Sequence, residues 1–129
     1  MWLPISLNVY ATLPTKCTGD EIRNGHNILK VLDYSCESEE VCGVAISAPA
    51  QLEDIPFIRF GAVQNARDDK DFDLAFDLKD HLMGSDVVAY IYGTRKSING
   101  ISIYASYQTA GVGCRSQFAI NLKEHSPTE

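Results

Sequence analysis

Two cysteines in the first third of the chain constrain its folding more than any other feature. Cys36 and Cys42 bracket five residues, of which Glu37, Glu39 and Glu40 are acidic. An oxidised pair at this spacing closes a small loop, which we expect at the end of a β-hairpin. A loop that is fixed in advance loses less conformational entropy when it binds a partner. The segment is therefore predicted to be a rigid, acidic projection.

The other two cysteines are Cys17 and Cys114. An even number of cysteines without a close C-x-x-C pair favours disulfides over a zinc site. A local Cys36–Cys42 bond leaves Cys17–Cys114 to connect the amino-terminal third with the carboxyl-terminal strands. Disulfides form in oxidising compartments, so we expect a periplasmic or secreted protein. Four reduced cysteines in a cytoplasmic protein are the alternative.

The first ten residues lack the basic start and the continuous apolar run of a signal peptide. If the protein is exported, we expect that Met1 replaces a removed leader. If Met1 is the native start, we expect a cytoplasmic protein. No run approaches the ~20 apolar residues of a membrane helix, so we expect no membrane insertion.

Composition predicts a single globular domain over 1–129 with a frayed polar tail at 124–129. Hydrophobic residues make up 45% of the 129-residue chain and charged residues 22%. The net charge of −6 argues against binding to nucleic acid or to anionic membranes. Residues 33–80 carry 12 acids against 4 bases, whereas the remainder carries 5 acids and 7 bases. This acidic region is either a solvated face or a surface complementary to a basic partner.

Hydrophobic patterning predicts an α+β fold. Alternating apolar residues predict strands at 3–13, 41–48, 56–63, 87–92, 101–107 and 118–122. Thr18 and Glu21 have the spacing of a capping box, which opens a predicted helix with Ile22, Leu29 and Leu32 on one face. Residues 28–34 are alternatively predicted to form a strand that enters the cysteine loop.

A second helix is predicted at 68–83, although alternating apolar residues there also fit a strand. Acids in its first turn and Gly84 after its last turn favour the helix. Phe72 and Phe76 are expected to be buried, and the aspartates at 73, 77 and 80 to face solvent. Asn99 and Gly100 predict a hairpin turn between two later strands. The resulting order is β-α-β-β-α-β-β-β, which fits either a ferredoxin-like fold or an antiparallel sheet curved around one helix.

The sequence contains no catalytic, cofactor or metal signature, so we predict a non-enzyme without a cofactor or a metal site. There is no G-x-S-x-G motif, and Gly111 and Gly113 lack the third glycine of a dinucleotide site. The aspartates at 69, 71 and 73 lack the glycine and the closing glutamate of a calcium loop. The three histidines are scattered along the sequence, at positions 26, 81 and 125.

Four tyrosines lie on strands that are predicted to be adjacent: Tyr90, Tyr92, Tyr104 and Tyr107. They are expected either to stack as cross-strand pairs or to form an exposed face that binds carbohydrate or protein.

These features together predict a small acidic, disulfide-bonded envelope protein that binds and inhibits a basic or cleft-bearing protein partner. Immunity proteins and hydrolase inhibitors are of this type. The cysteine-bracketed loop resembles, in general manner, the loops by which some periplasmic lysozyme inhibitors plug a cleft. Three alternatives remain: a loop closed only for stability, a secreted lectin-like or receptor-binding subunit that uses the tyrosines, and a cytoplasmic mobile-element protein with reduced cysteines. The predicted contact residues are Glu37, Ser38, Glu39, Glu40 and Val41.

Overall fold

The computed structural model describes residues 22–64, 74–109 and 114–127, and these ranges are mostly β-strand. A single helical turn, α1 (Arg95–Asn99), and a 3-10 helix (Leu122–His125) are the helices within them. The strands, numbered in chain order, are β1 (Ile22–Asn24), β2 (Lys30–Ser38), β3 (Val41–Pro49), β4 (Gln51–Leu52), β5 (Ile55–Gln64), β6 (Leu74–Leu78), β7 (Asp80–Met83), β8 (Asp86–Gly93), β9 (Ile101–Thr109) and β10 (Cys114–Asn121).

The strands form two sheets. The first sheet has the order β1-β10-β9-β5-β4, and β6 also pairs with β5. The second sheet has the order β2-β3-β8-β7. Only β1 and β10 pair in parallel among the described strands. Among the described strands, the chain changes sheets between β1 and β2, between β3 and β4, between β6 and β7, and through α1 between β8 and β9.

The two sheets bury one face each in a shared core. Val44, Ile46 and Ala48 of β3 are at most 2% exposed and belong to the same cluster as Phe60 and Ile103 of the first sheet. Side chains alternate between the two faces of a strand, and β-branched residues pack well on a pleated surface. The strand predicted at 41–48, with these three β3 side chains on one side, is confirmed.

Tyr107 connects the two sheets inside this core. Its side chain is fully buried in β9, and its hydroxyl donates a 2.7 Å hydrogen bond to the carbonyl oxygen of Pro49 at the end of β3. Phe57 and Phe118 contact its ring edge to face. Burial, and secondarily the charge of Asp86, raises the pKa of Tyr107. The hydroxyl therefore keeps its proton and remains a donor.

The α+β prediction is wrong, and its first helix shows why. Ile22 lies in β1, which pairs with β10, and residues 30–38 form β2. Leu29 is buried, but Ile22 and Leu32 are 50% and 57% exposed, so the three do not share a buried face. In β1, pairing with β10 provides the backbone hydrogen bonds that a helix would otherwise have supplied. The alternative strand at 28–34 is correct from Lys30 onwards.

The helix predicted at 68–83 is also wrong in its described part, which forms β6 and β7. Phe76 is 40% exposed rather than buried, Asp77 is exposed, and Asp80 is half-buried. Phe72 and the aspartate at 73 lie outside the described residues. Gly84 does not end a helix. It lies in the turn between β7 and β8, where its φ is 65°. Glycine adopts this backbone conformation without steric cost.

The hairpin predicted at Asn99 and Gly100 is replaced by α1. Thr94 caps this helical turn by accepting a hydrogen bond from the Ser97 backbone N–H, and Ile98 is buried. Gly100 has φ −91°, whereas the hairpin turn that this dipeptide favours needs positive φ. Strands β8 and β9 therefore lie in different sheets. Neither the ferredoxin-like order nor a sheet curved around one helix describes this topology.

The remaining strand predictions have clear outcomes. Those at 56–63, 87–92 and 101–107 are confirmed, and the one at 118–122 is confirmed as far as Asn121. The strand predicted at 3–13 lies outside the described residues. Within the described ranges, no helix is long and apolar enough to cross a membrane.

Of the tail at 124–129, the structure describes residues 124–127. Its first two residues end the 3-10 helix. Arg95 Nη1 donates to Ser126 Oγ at 3.2 Å and to the Pro127 carbonyl oxygen at 2.8 Å. The single-domain organisation over 1–129 and the frayed tail stay predictions.

The two-sheet core is tested by comparing two phenylalanines. Phe60 is fully buried, whereas Phe76 is 40% exposed. We expect Phe60→Ala to lower the free energy of unfolding by ~3–5 kcal/mol, as truncation of a core aromatic side chain does. Phe76→Ala should lower it by only about 1 kcal/mol, because less apolar area leaves water on folding. Urea unfolding measures both, and equal losses would contradict the described core.

Candidate functional site

The five predicted contact residues lie together at one end of the second sheet. β2 ends at Ser38 and β3 begins at Val41, so Glu39 and Glu40 form the turn between them. We call residues 37–41 the hairpin tip. β3 is nine residues long, so its other end at Pro49 lies roughly 25 Å away.

A disulfide closes the hairpin tip, as predicted. Cys36 and Cys42 are opposite each other in the pairing of β2 and β3, and their sulfur atoms are bonded. Cys42 is 3% exposed and belongs to the core cluster, so the disulfide is anchored to the buried part of the second sheet. A disulfide favours a non-reducing compartment. The predicted Cys17–Cys114 bond involves Cys17, which lies outside the described residues, and it stays a prediction.

A second contact fixes the hairpin tip from the opposite side. The Glu39 carbonyl oxygen accepts a 2.9 Å hydrogen bond from the Arg95 backbone N–H, and Glu39 Oε2 lies 2.7 Å from Arg95 Nε. The Arg95 side chain is 16% exposed, and it also binds Ser126 and Pro127. The tip is thereby attached to α1 and to the carboxyl-terminal segment. The Glu39 carboxylate is therefore paired with a cation of the same chain.

The other four residues of the tip face solvent. Glu37, Ser38 and Glu40 are exposed, and the apolar side chain of Val41 is 52% exposed. Ser38 Oγ accepts a 3.3 Å hydrogen bond from the Glu40 backbone N–H, which shapes the turn. Two exposed carboxylates, for which the described residues supply no ion-pair partner, and one exposed apolar side chain are therefore presented at the tip.

Tyr92 joins this surface from the neighbouring strand β8. It lies opposite Gly43 of β3, and its side chain is 79% exposed. A Cβ atom at Gly43 would approach the Tyr92 ring carbons to 3.2 Å, so the absence of a side chain lets the ring lie close to the sheet. A shallow cavity of about 400 Å³ separates the ring from the tip, and its lining includes Glu37, Val41 and the Cys36–Cys42 pair. Sequence reasoning missed Tyr92 as a neighbour of the tip, because only the pairing of β3 with β8 brings them together.

The predicted row of four tyrosines does not form. Tyr90 and Tyr92 lie in the second sheet, whereas Tyr104 and Tyr107 lie in the first. Tyr107 is fully buried, and Tyr90 is 44% exposed with the His81 ring stacked on it at 5.5 Å. Only Tyr90 and Tyr92 share an exposed face of the second sheet.

Three potential metal ligands meet at a separate place, beside β1 and the 3-10 helix. His26, Glu124 and His125 each place one ligand atom within 4.8 Å of the others. Sequence reasoning predicted no metal site because the histidines are scattered along the chain. The fold nevertheless brings two of them together, and leaves His81 on the second sheet. The expectation of a non-enzyme without a cofactor stays a prediction.

Comparison of the chain with protein-family models, with curated proteins and with solved structures found no match. The function must therefore be inferred from the side chains of this protein alone.

Removing the Cys36–Cys42 disulfide tests the rigidity of the tip. A Cys36→Ser/Cys42→Ser double variant should fold but lose about 2 kcal/mol of unfolding free energy, because a loop this short removes little entropy from the unfolded chain. Amide hydrogen exchange at residues 37–41 should become faster. Glu39→Gln should lower stability by under about 1 kcal/mol, because its partly exposed ion pair is solvent-screened. Unchanged stability and unchanged exchange in the cysteine variant would contradict a structural role for the disulfide.

Proposed function

We propose that this protein binds a protein partner through its hairpin tip and inhibits that partner, in the manner of an immunity protein or hydrolase inhibitor. The observation that carries the proposal is the double attachment of the tip, by the Cys36–Cys42 disulfide and by the contacts between Glu39 and Arg95. A surface held in one conformation loses little entropy on binding. Natural inhibitors of enzymes rely on the same advantage, since their interfaces change little between free and bound states.

The exposed side chains at the tip have the composition of a binding surface. Tyr92 and Val41 offer apolar area, and tyrosine is among the residues that dominate binding energy at protein interfaces. Glu37 and Glu40 lie beside them and carry charges that no described residue neutralises. An apolar centre with a charged rim is the usual arrangement of such interfaces.

Contacts within the tip lead us to propose a smaller set of its residues as partner contacts. Glu39 is already paired with Arg95, so we assign it the role of positioning the tip. Ser38 shapes the turn through its hydrogen bond to Glu40. The proposed contacts are therefore Glu37, Glu40, Val41 and Tyr92.

The charge of the tip indicates a basic partner, or one whose cleft is lined by basic groups. Glu37 and Glu40 belong to the region of 12 acids and 4 bases over residues 33–80. Complementary charge raises the rate of association more than it raises affinity. The disulfide supports a periplasmic or secreted location for both proteins and argues against the cytoplasmic alternative.

The test is a capture experiment with matched charge variants. Wild type, Glu37→Gln/Glu40→Gln and the control Glu53→Gln/Asp54→Asn are immobilised and exposed to the envelope and secreted fractions of the source organism. The control removes two exposed acids from the turn between β4 and β5, at the other end of β3. We expect a protein that wild type and the control retain and the tip variant retains poorly.

Kinetics on the retained protein distinguish attraction by charge from adventitious adhesion. The association rate with wild type should fall as salt rises, because the Debye length shortens to ~8 Å at physiological ionic strength. The tip variant should associate more slowly and depend less on salt. Equal retention by all three proteins would remove the tip from the binding site.

The exposure of Tyr90 and Tyr92 favours a second candidate, a lectin-like or receptor-binding surface. Aromatic rings on an exposed sheet face offer apolar area to a sugar, and their hydroxyls offer hydrogen bonds. Tyr90→Ala would abolish such binding, whereas Glu37→Gln/Glu40→Gln would leave it intact. That pattern would favour this candidate over the inhibitor.

A further inference from the structure

Two histidines and a glutamate converge at a place that is independent of the hairpin tip. His26 follows β1, and Glu124 and His125 end the 3-10 helix. His26 Nε2 lies 3.7 Å from Glu124 Oε1, and the two imidazole rings lie 6.5 Å apart between centroids. One ligand atom from each of the three residues falls within 4.8 Å of the others. We propose that these three residues bind a Zn²⁺-like transition-metal dication.

The spacing of the three side chains is close to what one ion requires. Zinc binds imidazole nitrogen and carboxylate oxygen at ~2.0–2.2 Å, so two of its ligands at a tetrahedral angle lie roughly 3.4 Å apart. The ligand atoms, which all lie within 4.8 Å of one another, must therefore move inward by roughly 1 Å. The side chains of His26 and Glu124 are 56% and 55% exposed, which leaves them free to make this movement. His125 is half-buried and supplies the fixed side of the site.

The backbone beneath His26 is held firmly. The Gly25 N–H donates to the Ala119 carbonyl oxygen at 2.8 Å, which attaches this turn to β10. A Cβ atom at Gly25 would lie 3.0 Å from that same oxygen, so the close approach favours glycine. Asn24 Oδ1 accepts a 2.8 Å hydrogen bond from the His26 N–H. These contacts fix the direction in which the His26 side chain leaves the turn.

The backbone of the other two ligands is held from both ends. Leu122 begins the 3-10 helix and is fully buried in the core. Ser126 and Pro127 follow it and accept hydrogen bonds from Arg95. A metal site needs a backbone that holds its ligand residues near one another, and the fold provides this on both sides.

His125 brings a buried ring nitrogen to this part of the molecule. Its Nε2 atom is shielded from solvent and has no hydrogen-bond partner among the residues that the structure describes. Buried polar atoms in proteins are nearly always paired, and leaving one unpaired is costly. Coordination of a metal through this nitrogen would supply a partner that the described residues do not.

The ligand types select the class of ion. Imidazole with carboxylate suits Zn²⁺ and its transition-metal neighbours, whereas Mg²⁺ and Ca²⁺ prefer oxygen alone. Three protein ligands leave a fourth tetrahedral position open for water. The rival account needs no metal: His26 and Glu124 interact with each other directly. Direct measurement of metal binding separates the two.

The test uses isothermal titration of Zn²⁺ into untagged full-length protein that has been stripped with chelator at neutral pH. The variants are His26→Ala and Glu124→Gln, both at exposed side chains where folding should survive. His81→Ala is the matched control, because this exposed histidine lies on β7 of the second sheet, outside the ligand cluster. Circular dichroism confirms that each variant is folded.

We expect wild type and His81→Ala to bind one Zn²⁺ per chain and to gain thermal stability from it. His26→Ala and Glu124→Gln should bind at least about 10-fold more weakly, since even loss of an outer partner of a ligand costs that much. Co²⁺ bound to wild type should give the intense visible absorption of a tetrahedral site. The proposal is overturned if wild type shows no saturable one-to-one binding. It is equally overturned if the two ligand variants bind as tightly as wild type.

Discussion

Burial of one face of each β-sheet against the other is the constraint on which the rest of the molecule depends. Ile46 of β3 and Phe60 of β5 are fully buried in the shared core, and Tyr107 joins the sheets by its hydrogen bond to Pro49. Loss of this bond would leave the hydroxyl of the buried Tyr107 without its partner, at a cost on the order of 1–3 kcal/mol, so the bond helps to fix the relation of the sheets. Pro49 lies at one end of β3, and the hairpin tip adjoins the other end of this strand, where the buried Cys42 anchors it.

The tip gains its rigidity from two unrelated interactions. The disulfide closes the hairpin within the second sheet, and the ion pair from Glu39 reaches Arg95, which follows the last strand of that sheet. Either contact alone would leave one side of the turn free to move. Together they leave Glu37 and Val41 exposed on a backbone that cannot rearrange easily. A binding surface needs this combination, whereas a loop closed only for stability does not need exposed apolar residues.

Local features of the sequence predicted local structure well. The spacing of Cys36 and Cys42 predicted their disulfide, and the alternation of apolar and polar residues predicted the strands at 41–48 and 87–92. Both signals depend only on residues that are close in sequence. The helix at 68–83 failed because alternation and a helical face coincide there, and pairing with β5 and β8 decided in favour of strands. Contacts between distant segments left no signal in the sequence. Tyr92 meets Gly43, and His26 meets His125, only through the arrangement of the sheets.

Site-specific photo-crosslinking tests the central claim, that the hairpin tip contacts a protein partner, most directly. A photoreactive phenylalanine derivative replaces Val41, which is 52% exposed at the tip, or Leu82, which is 66% exposed on β7. Both positions are exposed and apolar, but Leu82 lies beside Val87, towards the other end of the second sheet. Irradiation in the native compartment should yield one defined adduct from position 41 and none from position 82. An adduct from position 82 with none from position 41 would contradict the account.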